Sequence, residues 1–183
     1  MSEFSSKTWP TCSDSRRYDT LLIQLARASK KPILIAVLLA IAVGGIGGAA
    51  TEIGPWYTQL IKPWWQPPDW AFGPVWTLIY ITTGIAGVRA WRLGDPVQRR
   101  LFLGAVLVNC VLNILWSLLF FKMQRPDLAL IEVVTLWLSI IPLLWLPRTY
   151  SPISSLLMLP YIAWVSVAAY LNWTIVQLNG LGS

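Results

Sequence analysis

The sequence predicts an all-α membrane protein, a compact bundle of five transmembrane helices with a long aromatic- and proline-rich loop between helices 1 and 2. Of its 183 residues, 56% are hydrophobic and only 12% are charged, whereas soluble domains carry about 25% charged residues. The mean hydropathy is +0.59. Five apolar runs also approach the roughly 20 residues that a helix needs to cross a hydrocarbon core.

The first span, at residues 33–50, follows a polar tail at 1–31. Because lipid offers the backbone no hydrogen bonds, an apolar run of this length is predicted to be helical. The span ends in the run Gly44-Gly45-Ile46-Gly47-Gly48. Small residues with this spacing let two helices approach closely, so the run is a candidate seam of a homodimer.

The loop at 51–68 carries tryptophans and prolines in close succession. Proline has no backbone N–H and restricts the residue before it, so the segment 56–70, with four prolines counting Pro55, is predicted not to form an ordinary helix. We expect a stiff, ring-rich lid at the mouth of the bundle, over a site for a flat and apolar ligand.

Four further spans follow, at 69–91, 101–121, 128–146 and 153–178. The links between them are short and hold helix-breaking residues, at Gly94-Asp95-Pro96, at Arg125-Pro126-Asp127, and at Pro147 and Pro152. Such links force neighbouring helices to run antiparallel. Residues 32–179 are therefore predicted to form a single domain.

Basic residues divide unequally between the two sides of this predicted bundle. Three of them, Lys62, Lys122 and Arg125, lie on the side of the loop. Eleven lie on the N-terminal side: Lys7, Arg16, Arg17, Arg27, Lys30, Lys31, Arg89, Arg92, Arg99, Arg100 and Arg148. The positive-inside rule therefore places the N-terminus in the cytoplasm and the C-terminus opposite. Because these residues adjoin apolar spans, we expect them to meet the lipid bilayer and not nucleic acid.

Several kinds of chemistry are not expected of this chain. It has no histidine, which removes the commonest metal ligand and the usual acid–base group near neutral pH. Its two cysteines, Cys12 and Cys110, lie far apart and form no CxxC motif. We therefore predict no metal site, no catalytic residue and no required cofactor.

Polar and aromatic residues share one face of the third span. Asn109, Asn113, Trp116 and Phe120 follow one another at offsets of four, three and four residues, which is helical spacing. On one interpretation the amides bind the polar edge of a ligand and the rings stack on its body. On the other, the asparagines tie helices together across the bundle.

The fourth span holds an acid, Glu132, well inside its length. An ionisable group at membrane depth can pair with a ligand cation or relay a proton. The interpretation we favour is simpler. Glu132 lies little more than one turn from Asp127, and we expect it to reach the interface or to meet Arg125.

Tryptophans also lie near the middle of the spans, where a belt at the membrane interface does not explain them. Trp76 and Tyr80, four residues apart, are expected to stack on one helix face beneath the loop. Trp116, Trp137 and Trp164 are likewise near mid-span. We predict that these rings face inward and enclose a chamber for a planar ligand.

Long motifs in three parts of the chain carry a family resemblance. The first is Trp56-Tyr57-x-x-Leu60-x-Lys62-Pro63-x-Trp65-x-Pro67-Pro68-x-Trp70-x-Phe72-Gly73-Pro74-Val75-Trp76-Thr77-x-x-Tyr80. The others are Leu112-Asn113-x-x-Trp116-Ser117-x-x-Phe120-Phe121, and Leu159-Pro160-Tyr161-x-x-Trp164-Val165 with Ala168-x-x-Leu171-Asn172. Together they resemble the TspO/translocator protein family of tryptophan-rich sensory proteins and peripheral-type benzodiazepine receptors. The resemblance runs from about residue 33 to 179.

This resemblance implies a five-helix membrane protein, often dimeric, whose pocket is closed by the loop between its first two helices. Members reside in bacterial cell membranes or the mitochondrial outer membrane, and both remain open here. They bind porphyrins such as protoporphyrin IX and, in animals, cholesterol and benzodiazepine-type drugs. By motif position the implied ligand-binding residues are Tyr57, Pro67, Trp76, Tyr80, Asn113, Trp116, Trp137, Trp164 and Ala168.

Three functions remain open at this point. The first is binding of a tetrapyrrole, as its sensor, scavenger or carrier. The second, attributed to some bacterial members, is light-dependent porphyrin degradation. The third is transport of a sterol or another small apolar ligand, although no basic residue follows Tyr170, where the animal cholesterol motif requires one.

Overall fold

A computed structural model describes residues 29–181, so the predicted tail at 1–31 lies almost entirely outside the described residues. Five helical segments are long and apolar enough to cross a membrane: Lys31–Ala50, Asp69–Leu93, Pro96–Lys122, Pro126–Thr149 and Pro152–Leu178. This confirms the predicted fold class, an all-α bundle of five membrane-spanning helices.

Residues 29–181 contain seven α-helices, six of them in the spans and one in the loop. Helix α1 is Lys31–Ala50, α2 is a short helix at Pro55–Gln59 within the loop, and α3 is Asp69–Leu93. Helix α4, Pro96–Ser117, continues in a π-helical turn at Leu118–Lys122. Helix α5, Pro126–Trp145, continues in a 3-10 turn at Leu146–Thr149, and the last span comprises α6, Pro152–Leu157, and α7, Leu159–Leu178.

The third span begins at Pro96, earlier than the predicted residue 101. Asp95 caps the helix, because its side chain accepts hydrogen bonds from the backbone N–H groups of Val97 and Gln98, both at 2.8 Å. The Gln98 side chain accepts the Asp95 N–H in return at 2.9 Å. This capping box, with proline at the first helical position, starts the helix inside a charged stretch.

The π-helical turn at the end of α4 changes the direction of two phenylalanines. Its wider winding is marked by the hydrogen bond from the Met123 N–H to the Leu118 carbonyl, five residues back, at 2.8 Å. Neighbouring side chains are closer in angle there than in an α-helix. Phe120 is buried, and the adjacent Phe121 packs edge-on against Trp116.

Helix α5 lies at the centre of the bundle, between α4 and α7, while α1 packs on α3 and α4. A buried cluster joins α3, α5 and α7 through Ile79, Leu136, Ile140, Tyr161 and Val165. The loop at 51–68, which we call the cap, lies over one end of this bundle. The opposite end, which carries Arg89, Arg92, Arg99, Arg100 and Arg148, is called the arginine end.

The cap is largely non-helical between Leu60 and Pro68, as its prolines predict. The exception is α2, where Pro55 occupies the first helical position and its missing N–H costs no hydrogen bond. The helix stops at Gln59 and the chain becomes extended at Leu60. The prediction of no ordinary helix therefore holds for the proline-rich part and is wrong for these five residues.

Candidate functional site

A cavity of about 560 Å³ lies beneath the cap, between α1, α3, α4, α5 and α7. We call it the cap cavity. Its volume falls within the range of roughly 300–1,000 Å³ that is usual for small-molecule sites. Most of its lining is aromatic, aliphatic or glycine, with a few polar groups near the mouth.

Seven of the nine residues predicted from the motifs lie in the wall of this cavity: Tyr57, Trp76, Tyr80, Asn113, Trp116, Trp164 and Ala168. Pro67 lies in the cap but is not part of the lining. Trp137 is also outside the lining, and its indole N–H donates to the Ser166 hydroxyl at 2.9 Å across the α5–α7 seam. Whether any of these residues binds a ligand stays a prediction.

Stacked pairs fix the direction of the rings on two walls. Trp76 and Tyr80 of α3 stack with centroids 5.6 Å apart and 28° between their planes. On α4, Trp116 stacks on Phe120 at 5.3 Å and 26°. Helical spacing of four residues brings each pair together. Because each ring stacks on its neighbour, contacts within the chain fix the orientation of the aromatic wall.

Two indole N–H groups of the wall lack hydrogen-bond partners. The Nε1 atoms of Trp116 and Trp164 are both buried and unpaired within the part of the chain that the structure describes. The Trp164 ring is held edge-on against Phe72 at 5.5 Å. A buried donor without a partner costs about 1–3 kcal/mol, so acceptor atoms of a ligand near these two indoles would be favoured.

The asparagines of α4 tie helices together, as the second interpretation predicted. Asn109 donates to the Ser139 hydroxyl of α5 at 2.8 Å and accepts from the Tyr161 hydroxyl of α7 at 2.9 Å. Asn113 donates to the same Tyr161 oxygen at 3.2 Å. Asn113 also lines the cap cavity, so it alone of the two reaches the candidate site.

Polar groups cluster at the mouth, where the cap meets α3. The Tyr57 hydroxyl donates to the Asp69 carboxylate at 3.2 Å, and Gln66 donates to both of these oxygens. Burial, and then the charge of Asp69, raises the pKa of Tyr57 to about 12, so its hydroxyl remains a donor at neutral pH. The Lys62 ammonium lies 3.5 Å from the centre of the Tyr57 ring.

Two contacts fasten the far side of the cap to α7. The Asn179 side chain accepts the Ile61 N–H and donates to the Ile61 carbonyl, both at 2.9 Å. Trp65 stacks on Tyr170 with centroids 5.0 Å apart and 16° between the planes. The cap is therefore clamped across the mouth from α3 to the end of α7.

Glycines of α1 form part of the cavity wall. Gly44, Gly47 and Gly48 line the cavity, although the sequence suggested a dimer seam for this run. At Gly44 a Cβ atom would approach Cε2 of the Tyr80 ring to 3.1 Å, so a larger residue there would require the ring to shift by a few tenths of an ångström. The run of small residues does indicate a close approach, but the group that approaches it is a ring of the same chain. A homodimer stays a prediction.

Among the wall residues that sequence reasoning missed are Asp69, Phe72 and Phe121. Phe72 precedes Trp76 by four residues, a spacing that could have placed it on the same face. Asp69 had the appearance of an ordinary first-turn acid. Phe121 stands in the second motif, but we did not expect it in the wall, because a regular helix that directs Phe120 inward turns the next residue about 100° away.

The expectation for Glu132 is wrong. Arg125 pairs with Asp127 instead, at 2.6 Å. Glu132 is 7% exposed, and both of its carboxyl oxygens are buried without a hydrogen-bond partner among residues 29–181. Its position on α5 faces neighbouring helices, so the side chain stays inside the bundle and does not extend to the interface.

Comparison with known proteins identifies relatives along most of the chain. Residues 36–178 match the model of the TspO/MBR family. The tryptophan-rich protein TspO of Chlorobaculum tepidum is 41% identical over 152 residues, covering 80% of this chain and 95% of that protein. The TspO protein of Archaeoglobus fulgidus is 36% identical, with 80% and 96% covered. The human translocator protein is 30% identical, with 68% and 75% covered.

Proposed function

This chain belongs to the TspO/MBR family, and we propose that it binds tetrapyrroles such as protoporphyrin IX in the cap cavity. In this role it acts as a sensor, scavenger or carrier of the pigment. The observation that carries the proposal is a cavity of about 560 Å³ enclosed by aromatic rings from three helices within a multi-pass membrane protein.

The walls suit a flat and apolar guest. The Trp76 and Trp116 rings belong to different helices and line one chamber. Aromatic stacking adds about 0.5–1.5 kcal/mol per pair beyond the burial of area, and a macrocycle offers a large π-face. The glycines of α1 present a smooth surface where the edge of such a ring can approach the backbone.

The polar groups match the periphery of a porphyrin. The unpaired indole N–H groups of Trp116 and Trp164 can donate to acceptor atoms of the guest. Lys62, beside Tyr57 at the mouth, supplies a cation for a propionate. Among the described residues, Asp69 is the only one that brings a carboxylate to the cavity wall. Its hydrogen bonds to Tyr57 and Gln66 leave it at the mouth, away from the stacking surfaces.

A titration with a matched pair of variants tests this proposal. Purified protein in detergent is titrated with protoporphyrin IX while tryptophan fluorescence is followed. Trp164→Leu should weaken binding about tenfold, because it removes a ring and a donor from the wall. Trp137→Leu makes the same change outside the cavity and should leave the affinity unchanged. Equal weakening in both variants would count against the cap cavity as the site.

Illumination of the bound pigment separates the remaining functions. A stable porphyrin spectrum under light supports binding alone. Loss of that spectrum with wild-type protein, but not with Trp116→Phe or Trp164→Phe, would assign photo-oxidative degradation to the site. If micromolar porphyrin gives no saturable quenching at all, the proposal fails, and a sterol or other small apolar ligand becomes the better candidate.

A further inference from the structure

A second cavity lies in the half of the bundle nearer the arginine end. It has a volume of about 120 Å³ and is bounded chiefly by α1, α3 and α4. Along α1 its lining runs from Pro32 to Val43, which at 1.5 Å per residue is a length of about 16 Å. A cavity with this length and so small a volume must be narrow in cross-section. Its shape suits a hydrocarbon chain and excludes a macrocycle.

The lining of this arginine-end cavity is apolar over most of its length. Ile35, Leu39 and Val43 of α1 face Gly84 and Gly87 of α3 across it. The few polar side chains are at its inner end, where Asn109 and Tyr161 already bond to each other. An occupant of the outer part would therefore meet hydrocarbon almost exclusively.

The outer end of the cavity lies among basic residues. Pro32 and Trp91 belong to the lining there, and Pro32 directly follows Lys30 and Lys31. The Arg99 side chain donates to the Trp91 carbonyl at 2.7 Å, and its guanidinium is 5.9 Å from the Trp91 ring centre. Cationic groups therefore lie beside the outer end of the apolar arginine-end cavity.

No acid neutralises these cations within residues 29–181. The basic residues at this end are Lys30, Lys31, Arg89, Arg92, Arg99, Arg100 and Arg148, and the acid is Asp95. The Asp95 carboxylate is engaged with the backbone at the start of α4. Both ion pairs of the described chain lie at the cap end, Lys122–Glu52 and Arg125–Asp127. The Nε atoms of Arg89 and Arg92 are buried and have no hydrogen-bond partner in the part of the chain that the structure describes.

We propose that the arginine end binds an anionic glycerophospholipid, with its phosphate against Lys31, Arg92 and Arg99 and one acyl chain in the arginine-end cavity. The bilayer supplies such a molecule at the right depth, because these residues lie at the end of membrane-spanning helices. The headgroup balances the excess positive charge. The acyl chain fills space that the helices leave between α1, α3 and α4.

Lipid retention and thermal unfolding of the purified protein test this proposal. The protein is exposed in detergent to phosphatidylglycerol, to phosphatidylcholine with the same acyl chains, or to inorganic phosphate, and retained lipid is counted by native mass spectrometry. Phosphatidylglycerol should be retained and should raise the unfolding temperature more than phosphatidylcholine does. Equal retention of the two lipids would overturn the proposal, and so would full competition by inorganic phosphate.

Paired variants separate the two parts of the site. Arg92→Gln and Arg99→Gln should each lower phosphatidylglycerol affinity about fivefold, whereas Lys122→Gln at the cap end should not. Gly84→Leu adds a side chain at a position where a Cβ atom meets nothing within 4 Å, and this side chain fills the cavity. Gly104→Leu is the control, because its surroundings are equally open but it lies outside both cavities. Retention must fall in Gly84→Leu alone. If both leucine variants retain lipid fully, the acyl chain does not enter the cavity.

Discussion

The two ends of the bundle use the same helices to different effect. Beneath the cap, rings surround a chamber of about 560 Å³, and the charged residues there form two ion pairs. At the arginine end the space shrinks to about 120 Å³, and the cations have no ion pair within the described chain. The larger cavity and the unpaired positive charge therefore occur at opposite ends of the molecule.

The difference in volume follows from what faces the small residues. At the arginine end Ala86 and Ala90 of α3 are 0% and 1% exposed, because Leu143 and Met158 pack directly against them. At the cap end the glycines of α1 meet rings that are already held by other rings. The space beside the alanines of α3 is therefore filled by large side chains, whereas the space beside the glycines of α1 stays open.

Three residues form the boundary between the two cavities, since Trp76, Tyr80 and Asn113 line both. Tyr161 holds this boundary in place, through its hydrogen bonds to the two asparagines of α4 and its edge contact with Trp76 at 6.3 Å. The separation of the two ends thus depends on a buried hydroxyl group.

The largest effect is expected when this hydroxyl is removed. Tyr161→Phe leaves polar atoms of Asn109 and Asn113 without their partner inside the bundle, which should lower the free energy of unfolding by about 1–2 kcal/mol. Unfolding by SDS in mixed micelles measures it. Tyr170→Phe, which changes an exposed tyrosine, is the control and should have little effect. If the two variants unfold alike, the hydroxyl does not hold the boundary.

A smaller effect, confined to the cap end, is expected from Asn179→Ala. The change removes both hydrogen bonds to the Ile61 backbone, worth about 1 kcal/mol in a partly exposed site. Amide hydrogen exchange at Ile61 should accelerate about fivefold, and porphyrin should dissociate faster. Gln177→Ala, on an exposed position of the same helix, should change neither rate. Unaltered exchange at Ile61 would show that the clamp does not keep the cap closed.

The smallest effect distinguishes two neighbouring glycines of α1. Alanine favours a helix over glycine by up to about 1 kcal/mol, and at Gly45 a Cβ atom meets nothing within 4 Å. Gly45→Ala should therefore stabilise the protein slightly. Gly44→Ala should lose that gain, because its Cβ would press on the Tyr80 ring, and it should weaken porphyrin binding two- to threefold. Equal stabilisation by both, with unchanged affinity, would contradict this role of the ring.

The number and order of the spans could be predicted from the sequence, because an apolar run of about 20 residues in lipid has few alternatives to a helix. Span ends were harder to predict. Arg99 and Arg100 made residues 96–100 look like a loop, yet the capping box at Asp95 starts the helix before them. In the fourth span, Glu132 was assigned to the interface by its distance from Asp127, which says nothing about the direction of its side chain.

Most candidate residues that stand in the three motifs lie in the cavity wall, although Pro67 of the first motif does not. Depth within the membrane was a poorer guide. Trp116 and Trp137 are both near mid-span, but only Trp116 lies in the cavity wall, since depth does not determine which way a helix face points. The glycines of α1 were recognised as a close-packing pattern. Their partner, the Tyr80 ring, could not be identified without the packing of α1 on α3.

Because of the π-helical turn at Leu118–Lys122, the shape of the cap cavity wall depends on the number of residues in this segment as well as on their side chains. Deleting Leu119 would restore regular winding and swing Phe120 or Phe121 toward the acyl chains, although Leu119 itself lies outside the wall. Single-residue deletions along this segment should therefore alter ligand selectivity more sharply than most exchanges of one apolar residue for another.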